Sequence, residues 1–152
     1  PIQPHRESDG YVLICGTRSF GGPGRMMPAD WVEKVAKRAE AATSSKVIVR
    51  RHPGNDAPKR SLHADLAGAR AVVIWSSSCG VHALAQGIPV ICEAPYWVSK
   101  AGTYSDINTL ALPHIPEHPK RIESLHRAAW AQWTIKEIKS GEPFRILLSD
   151  GR

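Results

Sequence analysis

The sequence predicts an α/β fold, a mostly parallel sheet of four to five strands with helices on both faces. Three observations predict it. Short runs rich in β-branched residues alternate along the chain with stretches of helical periodicity. One stretch, residues 71–93, reads as a complete strand–turn–helix–strand unit. Small hydroxyl-bearing residues and glycines fall just after the strands, at the sheet edge where ligands bind in open parallel folds.

Residues 1–10 are polar and read as a flexible lead-in. Tyr11-Val12-Leu13-Ile14-Cys15 is the first strand, followed by the glycine-rich stretch 16–25. That loop matches neither GxGxxG nor a P-loop, because no Gly-Lys-Ser/Thr closes it. Either Arg18 or Arg25 meets phosphate there, or the segment is a solvated connector. A helix is expected from about Pro28-Ala29-Asp30, capped by Asp30, with Trp31/Val32, Val35, Ala36 and Ala39 as its apolar stripe.

Thr43-Ser44-Ser45 breaks that helix, and residues 46–51 form a second strand that His52-Pro53 ends, since proline cannot donate to a ladder. After a polar loop at 54–60, Leu62, Leu66 and Ala67 mark a short helix, with Asp65 and Arg60 outward and Gly68 as its stop. Ala71-Val72-Val73-Ile74-Trp75 is the next strand. Ser76-Ser77-Ser78 and Gly80 make its turn, and the helix signalled by Val81, Ala83, Leu84 and Ala85 stops at Gly87. Pro89-Val90-Ile91-Cys92 follows as a strand.

An irregular passage then lasts to Pro119, with a short strand possible at Thr109-Leu110-Ala111-Leu112. A long helix is expected over about 119–140, its stripe running Ile122, Leu125, Ala129 and Trp133 with Trp130 widening it. Gly141 ends it, and residues 143–148 are expected to pack as a terminal segment. Residues 11–148 therefore read as a single domain.

The totals are those of an ordinary globular protein, with 152 residues, 42% apolar and 22% charged. No apolar run approaches the roughly 18 residues of a membrane span, and residues 1–10 lack a signal peptide's apolar region. Cys15, Cys79 and Cys92 show no CxxC spacing and read as buried free thiols in a reducing compartment, so the expected location is cytoplasmic. The net charge of +6 is spread along the chain without interleaved aromatics, a balance that suits an anionic ligand more than a nucleic-acid track.

The chemistry gathers in two clusters expected at neighbouring strand ends: His52 with Arg51, and Ser76-Ser77-Ser78 with Gly80. Hydroxyls at the head of a helix make a phosphate cradle, and a nearby histidine can donate to a phosphate oxygen or, protonated, neutralise a leaving group. The His52-Pro53 strand end, followed by the Ser-Ser-x-x-Gly-x-x-Ala-Leu-x-x-Gly-x-Pro-Val pattern up to Val90, resembles the Rossmann-like, donor-binding half of GT-B glycosyltransferases. The similarity is closest to bacterial and phage capsule-type, sialyl- or Kdo-transferase-like members, and it covers roughly residues 11–148.

That resemblance implies a nucleotide-sugar donor, with His52 at the donor phosphate and acting catalytically. It implies phosphate or ribose contacts from Ser76, Ser77, Ser78 and the Gly80 backbone, supported by Arg51, with Arg18 and the 16–24 loop facing an interdomain cleft. Glu93 is the positional candidate for gripping the ribose. No metal or other cofactor is called for. The usual N-terminal domain that supplies the acceptor site does not fit in this chain, which implies a partner domain or homo-oligomer. The acceptor would be a glycan, a lipid or a modified nucleic acid.

Other readings stay open. Ser78 in Ser76-Ser77-Ser78-Cys79-Gly80 has the shape of a nucleophile elbow, with Asp106 and His114 or His118 in the order of a hydrolase triad. Cys79 is a weaker nucleophile candidate, because no partner is evident in the sequence. His114 and His118 are separated by a proline that spoils helical metal-ligand spacing. A non-catalytic nucleotide- or nucleic-acid-binding module is the remaining alternative.

Overall fold

The computed structural model describes residues 1–18, 22, 25–52, 60–130 and 132–149. Four strands form one sheet: β1 (Tyr11–Cys15), β2 (Val47–Arg50), β3 (Ala69–Ile74) and β4 (Val90–Cys92). They lie in the order β2-β1-β3-β4, and every neighbouring pair is parallel. Parallel neighbours need a crossover rather than a hairpin, and the crossovers carry α1 (Trp31–Ala42), α2 (Leu62–Ala67) and α3 (Cys79–Ala85). From β1 the chain steps outward to β2, then returns across β1 to β3 and continues to β4. β1 and β3 are therefore the neighbours from which the chain departs in opposite directions, where an open α/β sheet leaves a crevice.

Side-chain alternation divides the core into two layers. Leu13, Cys15, Val72, Ile74, Val90 and Cys92 face Leu66 of α2, Ala83 and Leu84 of α3, and Leu125. Val12, Ile14, Ala71, Val73 and Ile91 face Trp31, Val35 and Ala39 of α1 together with Ile107 and Leu110. β3 is buried along its whole length, which explains its unbroken apolar run Ala71-Val72-Val73-Ile74. Each large apolar side chain removed from water in this way contributes about 1.5–3 kcal/mol. The fold is thus the α/β, Rossmann-like arrangement that the sequence predicts, with helices on both faces.

The N-terminal lead departs from expectation because it is docked. Gln3 N–H donates to Ala85 O (2.8 Å) and Arg6 N–H to Gly87 O (2.9 Å), using carbonyls left open at the C-terminal end of α3. The Arg6 guanidinium adds bonds to Leu66 O (2.7 Å) and Ala69 O (2.6 Å). Gly87 makes the approach possible: its φ is +77°, and a Cβ there would stand 1.8 Å from Pro4 O.

The helix expected over 119–140 is two helices, α4 (Arg121–Trp130) and α5 (Ile135–Ser140). The break has a local cause. Thr134 accepts from Glu137 N–H (3.2 Å) while the Glu137 carboxylate accepts from Thr134 N–H (2.6 Å), a reciprocal box that starts a new helix. Trp133 consequently lies outside both helices, and the buried face of α4 is Arg121, Ser124, Leu125 and Ala128, so that of the expected stripe Leu125 is buried while Ile122 and Ala129 are exposed.

Gly141, at φ +76°, turns the chain into α6 (Glu142–Ser149), where a packed terminal segment was expected. α5 and α6 lean mainly on each other, leaving Phe144, Leu147 and Leu148 exposed. The short strand expected at 109–112 is a 3-10 turn, Ile107–Ala111, begun by the Asp106 carboxylate accepting from Asn108 N–H (2.9 Å). Beyond β4 a parallel bridge of Tyr104 to Ile91 extends the sheet. Asp30 sits at the N-cap position of α1 without a side-chain cap, its carboxylate instead pairing with Lys34 at 2.5 Å.

Candidate functional site

At the C-terminal ends of the strands lies a cavity of about 140 Å³. Cys15 and Gly16 come to it from the end of β1, Arg50, Arg51 and His52 from the end of β2, Leu62 from α2, and Ser77, Ser78 and Cys79 from the turn into α3. β2 and β3 are not neighbours, contrary to the expectation for the two polar clusters, since β1 lies between them. The cavity spans that gap because β1 ends in Cys15-Gly16, two small residues that leave the space above it open.

The serine turn keeps much of its hydrogen-bonding capacity. Ser78 occupies the N-cap position of α3 but makes no side-chain cap bond. Ser77 Oγ accepts only a long bond from Cys79 N–H (3.4 Å). Ser76 is half-buried and does not line the cavity. Gly80 also stands back from it. Its N–H donates to Ser77 O (3.1 Å), and an added Cβ would come within 2.6 Å of Ile74 Cδ1 and 2.7 Å of Trp97. Gly80 is therefore needed for the close seating of α3 on the sheet. With only seven residues, α3 leaves hydroxyls and cations as the stronger attraction for an anion.

Arg18 Nε donates to His52 Nδ1 at 3.1 Å, tying the loop after β1 to the end of β2. With Nδ1 accepting this bond, Nε2 is the ring nitrogen that carries a proton. Arg50 and Arg51 both reach the cavity although they are consecutive. Arg50 is matched by Asp65, which also holds Arg60 at 3.3 Å, so Asp65 is a half-buried anchor and not the outward residue that helix periodicity suggests. Arg51 is exposed and makes no ion pair among the described residues. Pro53 and half of the glycine-rich stretch, including Gly21 and Gly24, lie outside the described residues.

Glu93 belongs to another part of the molecule. Its carboxylate accepts from Trp31 Nε1 (2.8 Å) and from both Arg38 nitrogens (2.6 and 3.3 Å), fastening α1 to the end of β4. It does not line the cavity.

The thiols of Cys15 and Cys79, which the sequence alone does not pair, both line the cavity. Cys15 is held firmly in the thiol form, chiefly by Cys79 and then by burial. Cys79 is pulled below the usual thiol range by the Cys15 S–H, helped by the Ser77 hydroxyl and Arg50 and opposed by burial. One signal could have paired them. Cys15 closes one strand, and Cys79 opens the helix after the adjacent strand.

The residues of the hydrolase reading are dispersed. Asp106 caps a 3-10 turn, His114 lies 3.6 Å from Glu7, and His118 stands edge-on to Tyr104 at 5.1 Å between centroids. None of the three lines the cavity with Ser78. Among the described residues no group of three or more His, Cys, Asp and Glu side chains is placed to hold a metal ion, and no helix is long and apolar enough to cross a membrane. A larger open groove of about 600 Å³ runs between the N-terminal lead and α2 and α3, lined by His5, His63 and His82. It lies at the sheet's opposite end, where backbone groups are already paired, so the smaller cavity is the better candidate.

The class that fold and cavity define is a parallel α/β domain with a polar, cation-edged cleft at its strand ends. No protein-family model, curated protein or solved structure matches the chain.

Proposed function

We propose that this domain binds the phosphate portion of a nucleotide-sugar donor and serves glycosyl transfer. The observation that carries the reading is the convergence of Arg51, His52, Ser77 and Ser78 on one cavity at the strand ends. A phosphate seated there would receive hydrogen bonds from the serine hydroxyls and from His52 Nε2–H, with Arg51 supplying positive charge. Arg18 acts through His52 by holding the tautomer in which Nε2 is the donor. As the bond between sugar and phosphate breaks, charge grows on the departing oxygen. Donors fixed in advance stabilise that charge more than they stabilise the bound donor. The arginines provide the cationic character, so this reading calls for no metal ion.

The size of the cavity, about 140 Å³, fits the grip of a phosphate or diphosphate and falls below the roughly 300 Å³ typical of a site that encloses a whole ligand. Nucleoside and sugar would then extend over the rim, and the acceptor, a glycan, lipid or modified nucleic acid, would be presented by a partner domain or a second copy. The free thiols of Cys15, Cys79 and Cys92 agree with a cytoplasmic setting.

Calorimetric titration with CMP, UDP, ADP and GDP tests the reading, with His52→Ala and Ser77→Ala as controls. One nucleotide is expected to bind, and each substitution to weaken it. Failure of all four to bind, or equal binding by both variants, would overturn it.

A further inference from the structure

Two thiols line the same cavity. Cys15 is the last residue of β1 and Cys79 the first of α3, and both line the cavity while packing in the same apolar cluster. They are 2% and 6% exposed, and neither is in a disulfide. Sharing one cavity of about 140 Å³, the two thiols are neighbours, and each is the largest influence on the other's protonation.

The two are not equivalent. Cys79 has the hydroxyl of Ser77 and the cationic Arg50 beside it, and its acidity is raised chiefly by the neighbouring Cys15 thiol. Cys15 keeps its proton and acts as the donor of the pair. This division is that of an attacking thiolate and a resolving thiol. The third thiol, Cys92, offers a contrast within the same core layer. It is away from the cavity, directs its S–H at Trp75 O (3.1 Å), and is driven toward the neutral thiol by burial.

We propose that Cys15 and Cys79 are a reversible oxidation site, in which a small hydroperoxide entering the cavity oxidises Cys79 and Cys15 closes an intramolecular disulfide. In the first step the Cys79 thiolate attacks the peroxide's terminal oxygen. The O–O bond breaks, an S–O bond forms, and the departing alkoxide or hydroxide takes up a proton, leaving Cys79 as a sulfenic acid. In the second step Cys15 sulfur, losing its proton, attacks Cys79 sulfur. The S–S bond forms as the S–O bond breaks, and the oxygen leaves as water. The thiol pair loses two electrons and two protons, and the peroxide is reduced to an alcohol or water. A dithiol reductant reverses the change by exchange.

The pairing requires little motion, because β1 and β3 are already hydrogen-bonded neighbours and α3 follows β3 through a four-residue turn, Trp75 to Ser78. Arg50 and Asp65 are the charged groups facing the pair, and their mutual ion pair keeps the floor of the cavity near neutral. An uncharged oxidant therefore meets no electrostatic barrier there. The inference is independent of nucleotide binding.

The full-length native chain treated with hydrogen peroxide, then alkylated under denaturing conditions and mapped by mass spectrometry, provides the test. Alkylatable thiols are expected to fall from the three of the sequence to one, Cys92, with a single Cys15–Cys79 linked peptide that dithiothreitol abolishes. In Cys15→Ser, dimedone is expected to trap a sulfenic acid on Cys79. In Cys79→Ser, Cys15 is expected to label no faster than Cys92. A disulfide that includes Cys92, links between two chains, or a Cys79 sulfenic acid in the native chain that never proceeds to the disulfide would each overturn the proposal. So would survival of all three thiols under peroxide that modifies free cysteine. The native-chain map needs no variant to fold.

Discussion

Arginines gather at both ends of the sheet, but in opposite conditions. Where β3 begins, Arg70 donates to Thr43 Oγ1, Ser45 Oγ, Leu112 O and Pro113 O, and Arg6 donates to Leu66 O and Ala69 O. Arg121, only 3% exposed, holds Leu84 O at 2.6 Å, Gln3 O at 3.1 Å and the Glu117 carboxylate at 2.7 Å. These guanidinium groups are consumed in stitching loops and helix ends to the core. Where β1, β2 and β3 finish, Arg51 stands exposed beside a cavity, next to serines with hydrogen-bonding capacity to spare. A buried cation bonded to the chain's own oxygens is a structural fastener. A cation left unmatched beside polar groups is a candidate for an outside anion.

Removing a fastener should produce the largest effect. Arg121→Ala leaves the Leu84 and Gln3 carbonyls without their donor and opens space under α4, at an expected cost of about 3–5 kcal/mol. Gly87→Ala attacks the same junction through the backbone and is expected to cost roughly 2–4 kcal/mol, because φ is positive and the lead lies in the way. Urea denaturation monitored by tryptophan fluorescence measures both. A loss below about 0.5 kcal/mol in either would mean that the lead is not held as described.

Removing the unmatched cation should do the reverse. Arg51→Ala is expected to leave stability within about 0.5 kcal/mol of the parent, as for exposed positions generally. Nucleotide affinity should fall about tenfold, the share of a charge-assisted hydrogen bond. Unfolding and calorimetry on one preparation separate the two. Equal affinity with altered stability would erase the distinction between the sheet's ends.

The smallest expected effect is a displaced pH profile. The Cys15 S–H, first among its causes, lowers the folded pKa of Cys79, so the thiolate is already present below the roughly 8.5 of a free cysteine. Iodoacetamide should therefore label Cys79 in the folded chain with a midpoint on the acid side of that value. Cys15→Ala should move the midpoint upward. By linkage, the lowered pKa adds stability as pH rises through the Cys79 pKa, and this is lost as pH falls through it.

Much of this architecture can be read in the chain because its cause is local. β1 runs from Tyr11 to Cys15 as the apolar run dictates, and the serine turn and Gly87 stop fall where their chemistry places them. What escaped was of two kinds. The division between α4 and α5 is written in Thr134 and Glu137, but a continuing apolar period across Trp130 and Trp133 masks that capping signal. The role of Glu93 is not local at all, since its partners Trp31 and Arg38 lie 62 and 55 positions away. The same holds for the thiol pair, which depends on β1 and β3 being neighbours. At the cavity, residue types pointed to Arg51, His52, Ser77 and Ser78, while only packing revealed that Gly80 serves to seat α3 and that Asp65 absorbs the charge of Arg50.

The Arg121 fastener has a further consequence, for the order of events during synthesis. Its guanidinium reaches Gln3 O across 118 positions of sequence. Residues 3–6 can reach their partners at 66–87 earlier, but this last tie waits until α4 has been made, while the β1–β3 ladder they flank can pair as soon as residue 74 has emerged. The sheet is the early event and the lead is the latch that closes on it.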